Sequence, residues 1–157
     1  MAGARQAAGR VPRVTIAVEK LDEATDEAVE AFGRLLPQLS SSAAPLDAEA
    51  LAAIVSSPAV AVLIARSEGD IVGSLTLAMF PSPTGIRAWI EDVVVDEAAR
   101  GQGVGAVLTE EAIRRARDAG ARSLDLTTRP SREAAGRLYE RAGFKQRETR
   151  LYRYSFE

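Results

Sequence analysis

Neither cysteine nor histidine occurs in this chain, and the two absences close off much familiar chemistry. Without a thiol or an imidazole there is no Cys nucleophile, no Ser-His or Cys-His pair, and no zinc site built on sulfur or ring nitrogen. General-base work falls instead to a carboxylate, a water, a lysine, a tyrosine or a backbone group. No metal is expected. Long apolar runs are missing too, so no stretch approaches a membrane span. The formal net charge of −2 leaves no electrostatic footprint for nucleic acid. Missing cysteines leave the compartment undecided, and a cytoplasmic setting fits comfortably.

What is present is ordinary for a soluble globular chain: 46% hydrophobic and 27% charged residues in a length of 157, enough for one sizeable core. Residues 1–12 hold Arg5 and Arg10 among alanines and glycines, with no acid and no apolar centre. They suit an organellar presequence weakly and a secretory signal not at all, so a disordered tail is the expectation. Residues 13–157 are expected to form a single domain.

The informative stretch runs from Trp89 to Ala106. Its first half alternates and then fills with β-branched residues, which predicts a buried strand from about Trp89 to Val95. Gly101, Gly103 and Gly105 follow, and Val104, Val107, Leu108, Ala112 and Ala116 then recur at helical spacing. Strand, glycine turn and helix start make an anion site, because the first helical N–H groups lack partners and the macrodipole adds positive potential. Glycines let the backbone come close to a phosphate. A tight turn with no ligand is the plain alternative. A Walker-type loop would need Lys-Ser or Lys-Thr where Val-Leu stands. The dinucleotide fingerprint is met in letters, as Gly101, Gly103 and Ala106, yet the turn starts too far beyond Val95. The next strand, Ser123 to Thr127, ends without a ribose-binding acid, and too little chain remains for a doubly wound sheet.

The rest of the chain gives a strand over Val14 to Val18 and a helix capped by Asp22 or Thr25 and ended by Pro37. A small-residue loop from Ser40 to Pro45 precedes a short helix capped by Asp47. Strands over Ala59 to Ala65 and Ile71 to Phe80 flank the turn Ser67-Glu68-Gly69-Asp70. The run from Pro81 to Gly85 is expected to break the sheet. Glu110–Arg114 and Glu111–Arg115 stand at i,i+4 on the helix that follows the glycines, and Gly120 ends it. Ser131 is the expected cap of a last helix, with Gly143 and Phe144 as its left-handed stop and latch. Two closing strands, about Lys145 to Glu148 and Arg150 to Phe156, complete the order β-α-α-β-β-β-α-β-α-β-β. For Tyr152 and Tyr154 a core role and a substrate-wall role are both open, the core being favoured.

Two motifs in this order carry a resemblance. Arg100-x-x-Gly103-x-Gly105-Ala106 after a valine-rich strand resembles the diphosphate loop of the GNAT family of N-acetyltransferases. The run from Glu133 to Phe144 is similar to that family's Ala-x-x-x-Leu-Tyr-x-x-x-Gly-Phe helix. The likeness extends from Val14 to Phe156. It implies an α/β fold with a mixed, mostly antiparallel sheet of about seven strands and helices on both faces. One position departs: members often carry Asn seven residues before the tyrosine, and here Arg132 stands there, with Ser131 or Arg132 as substitutes for its cofactor contact.

The resemblance implies acetyl-CoA as donor and a small-molecule or peptide amine as acceptor; a homodimer is left open. Main-chain groups of Val93, Val94 and Val95 would pair with the pantetheine arm between splayed strands. Those of Arg100, Gly101, Gln102, Gly103, Val104, Gly105 and Ala106 would hold the diphosphate. Without cysteine an acetyl-Cys intermediate is unavailable, so direct attack within a ternary complex is expected. Glu91 is the candidate base, set by alternation on the face of Trp89, Val93 and Val95, with Asp92 pointing the other way. Tyr139 is the candidate acid for the leaving thiolate. A sensor or subunit that binds acetyl-CoA without turnover, and more distantly a dinucleotide-binding oxidoreductase, are the alternatives.

Overall fold

The computed structural model describes residues 13–156; the tail expected over residues 1–12 lies outside them. The elements run β1 (Ile16–Lys20), α1 (Asp26–Leu39), α2 (Ala48–Val55), β2 (Val60–Ser67), β3 (Asp70–Ser82), β4 (Gly85–Val95), a 3-10 turn (Glu97–Ala99), α3 (Val104–Asp118), β5 (Ala121–Asp125) and α4 (Glu133–Arg141). The strands form one sheet in the order β1-β2-β3-β4-β5. Every pairing is antiparallel except β4 with β5. Helices cover both faces. On one side α3 packs Val104, Leu108, Ala112 and Ala116 onto Leu63, Leu75, Leu77, Ala88 and Ile90. On the other, Ala28, Phe32 and Leu35 of α1 and Leu51 of α2 meet Val62, Ile64 and Val94.

Local chemistry accounts for the boundaries. Thr25 Oγ1 accepts the Ala28 N–H at 3.2 Å and Asp47 Oδ1 accepts the Ala50 N–H at 2.8 Å, so both helix starts are capped as expected. The β2–β3 turn places Glu68 at φ 51 and Gly69 at φ 90, the geometry of a tight hairpin. Pro37 does not end α1, which continues to Leu39. The Gln38 Nε2 donates to the Arg34 carbonyl at 3.2 Å and the Ser40 N–H donates to Leu36 at 3.0 Å, so late carbonyls stay satisfied past the proline. Nor does Pro81 break the sheet. It sits opposite Ile86, one rung before the final pair Ser82–Gly85, and the Ser82 hydroxyl closes the turn on the Gly85 carbonyl at 2.8 Å.

The C-terminal expectation fails. The sheet has five strands among the described residues, not seven. Residues 145–156 hold no strand. Tyr152 and Tyr154 are 82% and 84% exposed, not core. Alternation gives a segment the propensity to be a strand; only a partner backbone makes it one. Ser131 likewise does not cap α4, whose cap position is Arg132 with no side-chain bond.

Candidate functional site

The parallel pairing of β4 and β5 is short. It runs from Ile86–Ala121 to Trp89–Asp125 and stops there, while β4 continues to Val95. Residues 90–95 therefore have main-chain groups on the β5 side with no strand partner among the described residues. Unpaired main-chain groups of this kind can pair with an extended chain as another strand would. After β4 come the 3-10 turn, the glycine turn and then α3.

A bulge shapes the same segment. Opposite Ser74, Leu75 and Thr76 of β3, β4 spends one residue more, between Val94 and Glu91, and Asp92 there takes φ +48. Aspartate is among the few side chains that tolerate this region. The extra residue inverts the alternation. Ala88 and Ile90 face α3 before the bulge, and Val93 and Val95 pack on that face after it, while Val94 is buried with α1 and α2. Glu91 thus shares its side with Trp89 and Val94, not with Val93 and Val95 as strict alternation suggested. Glu91 and Asp92 are both exposed, and neither has an ion-pair partner among the described residues.

The turn presents a cradle of backbone donors. Gly101 and Gly103 adopt φ +79 and +83, and a Cβ at either would enter open space. Gly103 is the N-cap of α3 and offers no side-chain cap bond, so the N–H groups of Val104, Gly105 and Ala106 point out of the helix end unsatisfied by a cap. Arg100, Gly101, Gln102 and Gly103 are exposed, whereas Val104 is buried and anchors the helix. Positive helix potential and free N–H groups suit a diphosphate. Gly105 has another duty. A Cβ there would stand 3.0 Å from Leu138 Cδ1 of α4, so the glycine lets the two helices meet.

That contact brings α4 beside the turn. Tyr139 is half-buried and meets Phe144 edge to face, their ring centroids 5.8 Å apart. Phe144 is latched as expected: Gly143 takes φ +101 and the Phe144 N–H donates to the Tyr139 carbonyl at 3.0 Å. Burial raises the Tyr139 hydroxyl pKa above its ordinary value, with the Arg132 charge pulling weakly the other way. The phenol therefore holds its proton at neutral pH. Ser131 is exposed just before α4. No hydrogen bond or ion pair joins Glu91 to Tyr139 among the described residues. The bulge and the side chains that hold the 3-10 turn escaped sequence reasoning. Asp92 carried the one usable signal for the first, an acid inside a valine-rich strand.

The acetyltransferase (GNAT) family model matches residues 21–144. A search of curated proteins finds no match. Among solved structures, a Trypanosoma brucei acetyltransferase is 27% identical with TM-score 0.74, covering 90% of this chain and all of its own (100%). A transcriptional regulator from Bacillus halodurans C-125 is also 27% identical, with TM-score 0.72 and coverage of 90% and 100%. An aminoglycoside acetyltransferase from an uncultured soil metagenomic sample, solved with sisomicin, shares the fold at 19% identity and TM-score 0.78, covering 90% of this chain and 97% of its own.

Proposed function

Since the chain belongs to the acetyltransferase (GNAT) family, we propose that it moves the acetyl group of acetyl-CoA to a primary amine by direct attack in a ternary complex. The observation that carries this reading is the unpaired edge of β4 over residues 90–95, ending in a glycine turn whose N–H groups are free. Val93, Val94 and Val95 offer backbone pairing to the pantetheine arm. Residues 100–106 offer donors to the diphosphate, and Ser131 stands near enough in sequence to the α4 start to supply a further contact.

The amine nitrogen forms a bond to the acetyl carbon as the carbon–sulfur bond breaks. An alkylamine of pKa near ~10.4 arrives protonated and must lose a proton before attack. Glu91, exposed and unpaired, takes that proton directly or through a water. The departing thiolate takes a proton from Tyr139, which burial keeps protonated. Orientation of the two reactants could lower the barrier by as much as ~7–11 kcal/mol. The aminoglycoside enzyme of the same fold makes a polyamine sugar a sensible first acceptor to try, and a peptide N-terminus the second. The cytoplasmic setting is part of this proposal.

Binding is tested first. Gly103→Glu puts a charged side chain where the phosphates approach, so calorimetry should show acetyl-CoA affinity collapse while circular dichroism stays near wild type. Unchanged affinity would remove the phosphate-loop assignment. Thiol release across an amine panel then tests turnover. The likeness to a chain described as a transcriptional regulator favours a second reading, acetyl-CoA binding without turnover. Tight binding with no thiol release on any amine would select it.

A further inference from the structure

Arg34 and Gln38 lie one turn apart on α1, and both reach the residues that lead into the glycine turn. The Arg34 guanidinium is shared between two partners. Its Nη2 donates to the Ile71 carbonyl at 2.7 Å, and its Nε donates to Asp96 Oδ2 at 3.0 Å. The other Asp96 oxygen, Oδ1, accepts the Ala98 N–H at 3.1 Å, and the Asp96 N–H donates to the Val72 carbonyl at 2.8 Å. Gln38 Oε1 accepts the Glu97 N–H at 2.8 Å. The 3-10 turn that opens the loop is thus held from β3 on one side and from α1 on the other.

Resting on the acetyl-CoA reading above, we infer that Arg34 and Gln38 are positioning residues for the coenzyme diphosphate, fixing the entry of its loop through Asp96 and Glu97 without touching the ligand. The glycines themselves cannot fix the loop, because each widens the range of backbone conformations available. Packing pins the loop only at Ala99 and Val104, both buried. Order over Asp96, Glu97 and Ala98 must come from hydrogen bonds, and α1 supplies two of them.

Charge gives Arg34 a second task. The Asp96 side chain is only 15% exposed and is held charged, its pKa pushed below the usual carboxylate range by the Ala98 N–H and by Arg34. A carboxylate is a good cap for the 3-10 turn but a poor neighbour for a diphosphate. Like charges in a partly buried setting repel strongly. Arg34 cancels that charge while leaving the cap in place.

The test compares coenzyme A with pantetheine, which lacks the diphosphate, by calorimetry on the full chain. Arg34→Met and Gln38→Leu should each weaken coenzyme A about three- to tenfold, the scale of a lost charge-assisted or backbone-anchoring bond. Pantetheine affinity should not move. Adding Asp96→Asn to Arg34→Met should recover only the part of the loss due to the uncancelled charge, since asparagine keeps the acceptor for Ala98 but does not restore the Arg34 bonds. In steady state KM for acetyl-CoA should rise while kcat holds, as expected for binding lost equally in ground and transition states. Should Arg34→Met fail to fold, Arg34→Lys keeps the charge, loses the fork, and carries the same comparison with a smaller loss. Equal losses for both ligands would mean general loosening, and unchanged coenzyme A affinity would mean no positioning; either overturns the inference. A double variant no better than Arg34→Met alone would overturn the charge-cancelling task of Arg34. A wild-type chain that binds no coenzyme A would instead overturn the acetyl-donor reading itself.

Discussion

At Asp92 the backbone takes φ +48 in the middle of a strand, and that single residue decides what its neighbours can do. It turns Glu91 to the α1 and α2 side of the sheet and Val93 to the α3 side. Nothing in a period-two pattern announces such an inversion, so the face that Glu91 shares was not legible in the sequence. If Glu91 takes the acceptor proton, Glu91→Gln should lower kcat/KM by roughly 10²–10⁴. The loss should shrink as pH rises and more amine arrives neutral. A pH-independent loss would move the base elsewhere. Tyr139 should behave in the opposite sense. Burial holds its proton more firmly than in a free phenol, so its service as an acid persists through neutral pH. Tyr139→Phe should cost about 10- to 100-fold in kcat, at or beneath the low end of general-acid effects. Raising the pH supplies no acid and should not repair it. Rates equal to wild type with a saturating acceptor would return Tyr139 to a packing role.

At the scale of elements, α3 shows what spacing can and cannot tell. The expected pair Glu111–Arg115 forms, at 2.7 Å, but Glu110–Arg114 does not. Arg114 turns instead to Glu111 at 2.7 Å and Asp118 at 2.8 Å. Several carboxylates were within reach of Arg114 on the sequence, and the helix surface chose among them. Helix caps at Thr25 and Asp47 were legible because they are local. The Arg34–Asp96 bond spans 62 positions and had no local trace. Glu111 yields a measurable consequence. Arg114 first, and then Arg115, hold its pKa below the ordinary carboxylate value. Its contribution is therefore complete above the unfolded pKa and is lost as pH falls through the depressed folded value. Glu111→Gln should cost about 0.5–1 kcal/mol at neutral pH. Thermal melts of variant and wild type should converge in acid, once the pH has fallen below that depressed value. A gap that persists there would assign the effect to packing.

For the whole molecule, the order of elements along the chain as far as α4 and the place of the glycine turn were legible from apolar periodicity and turn residues, while the layers followed only from the family resemblance. The end of the chain was not. Arg150 to Phe156 reads as a strand, but it has no partner among the described residues. Pairing is a property of two segments, and one segment cannot announce it. The outer edge of β5 is left open by the same fact, since among the described residues β5 pairs only with β4.

The open edge bears on how the protein behaves in a tube. Unpaired N–H and C=O groups along a strand are a template for any extended backbone that arrives, and proteins blunt such edges with short length and charge. β5 has five residues and carries Arg122 and Asp125. Against that protection stand three exposed aromatics, Tyr152, Tyr154 and Phe156, the last 92% exposed. Light scattering should rise with concentration and time in concentrated stocks, and Tyr154→Lys with Phe156→Ser should suppress the rise without altering the melting temperature. Arg122→Val, which removes a charge from the edge, should hasten it. Stocks that stay clear and monodisperse regardless of these changes would mean that short length alone keeps the edge from sticking. Handling conditions, ionic strength above all, would then matter less than this sheet suggests.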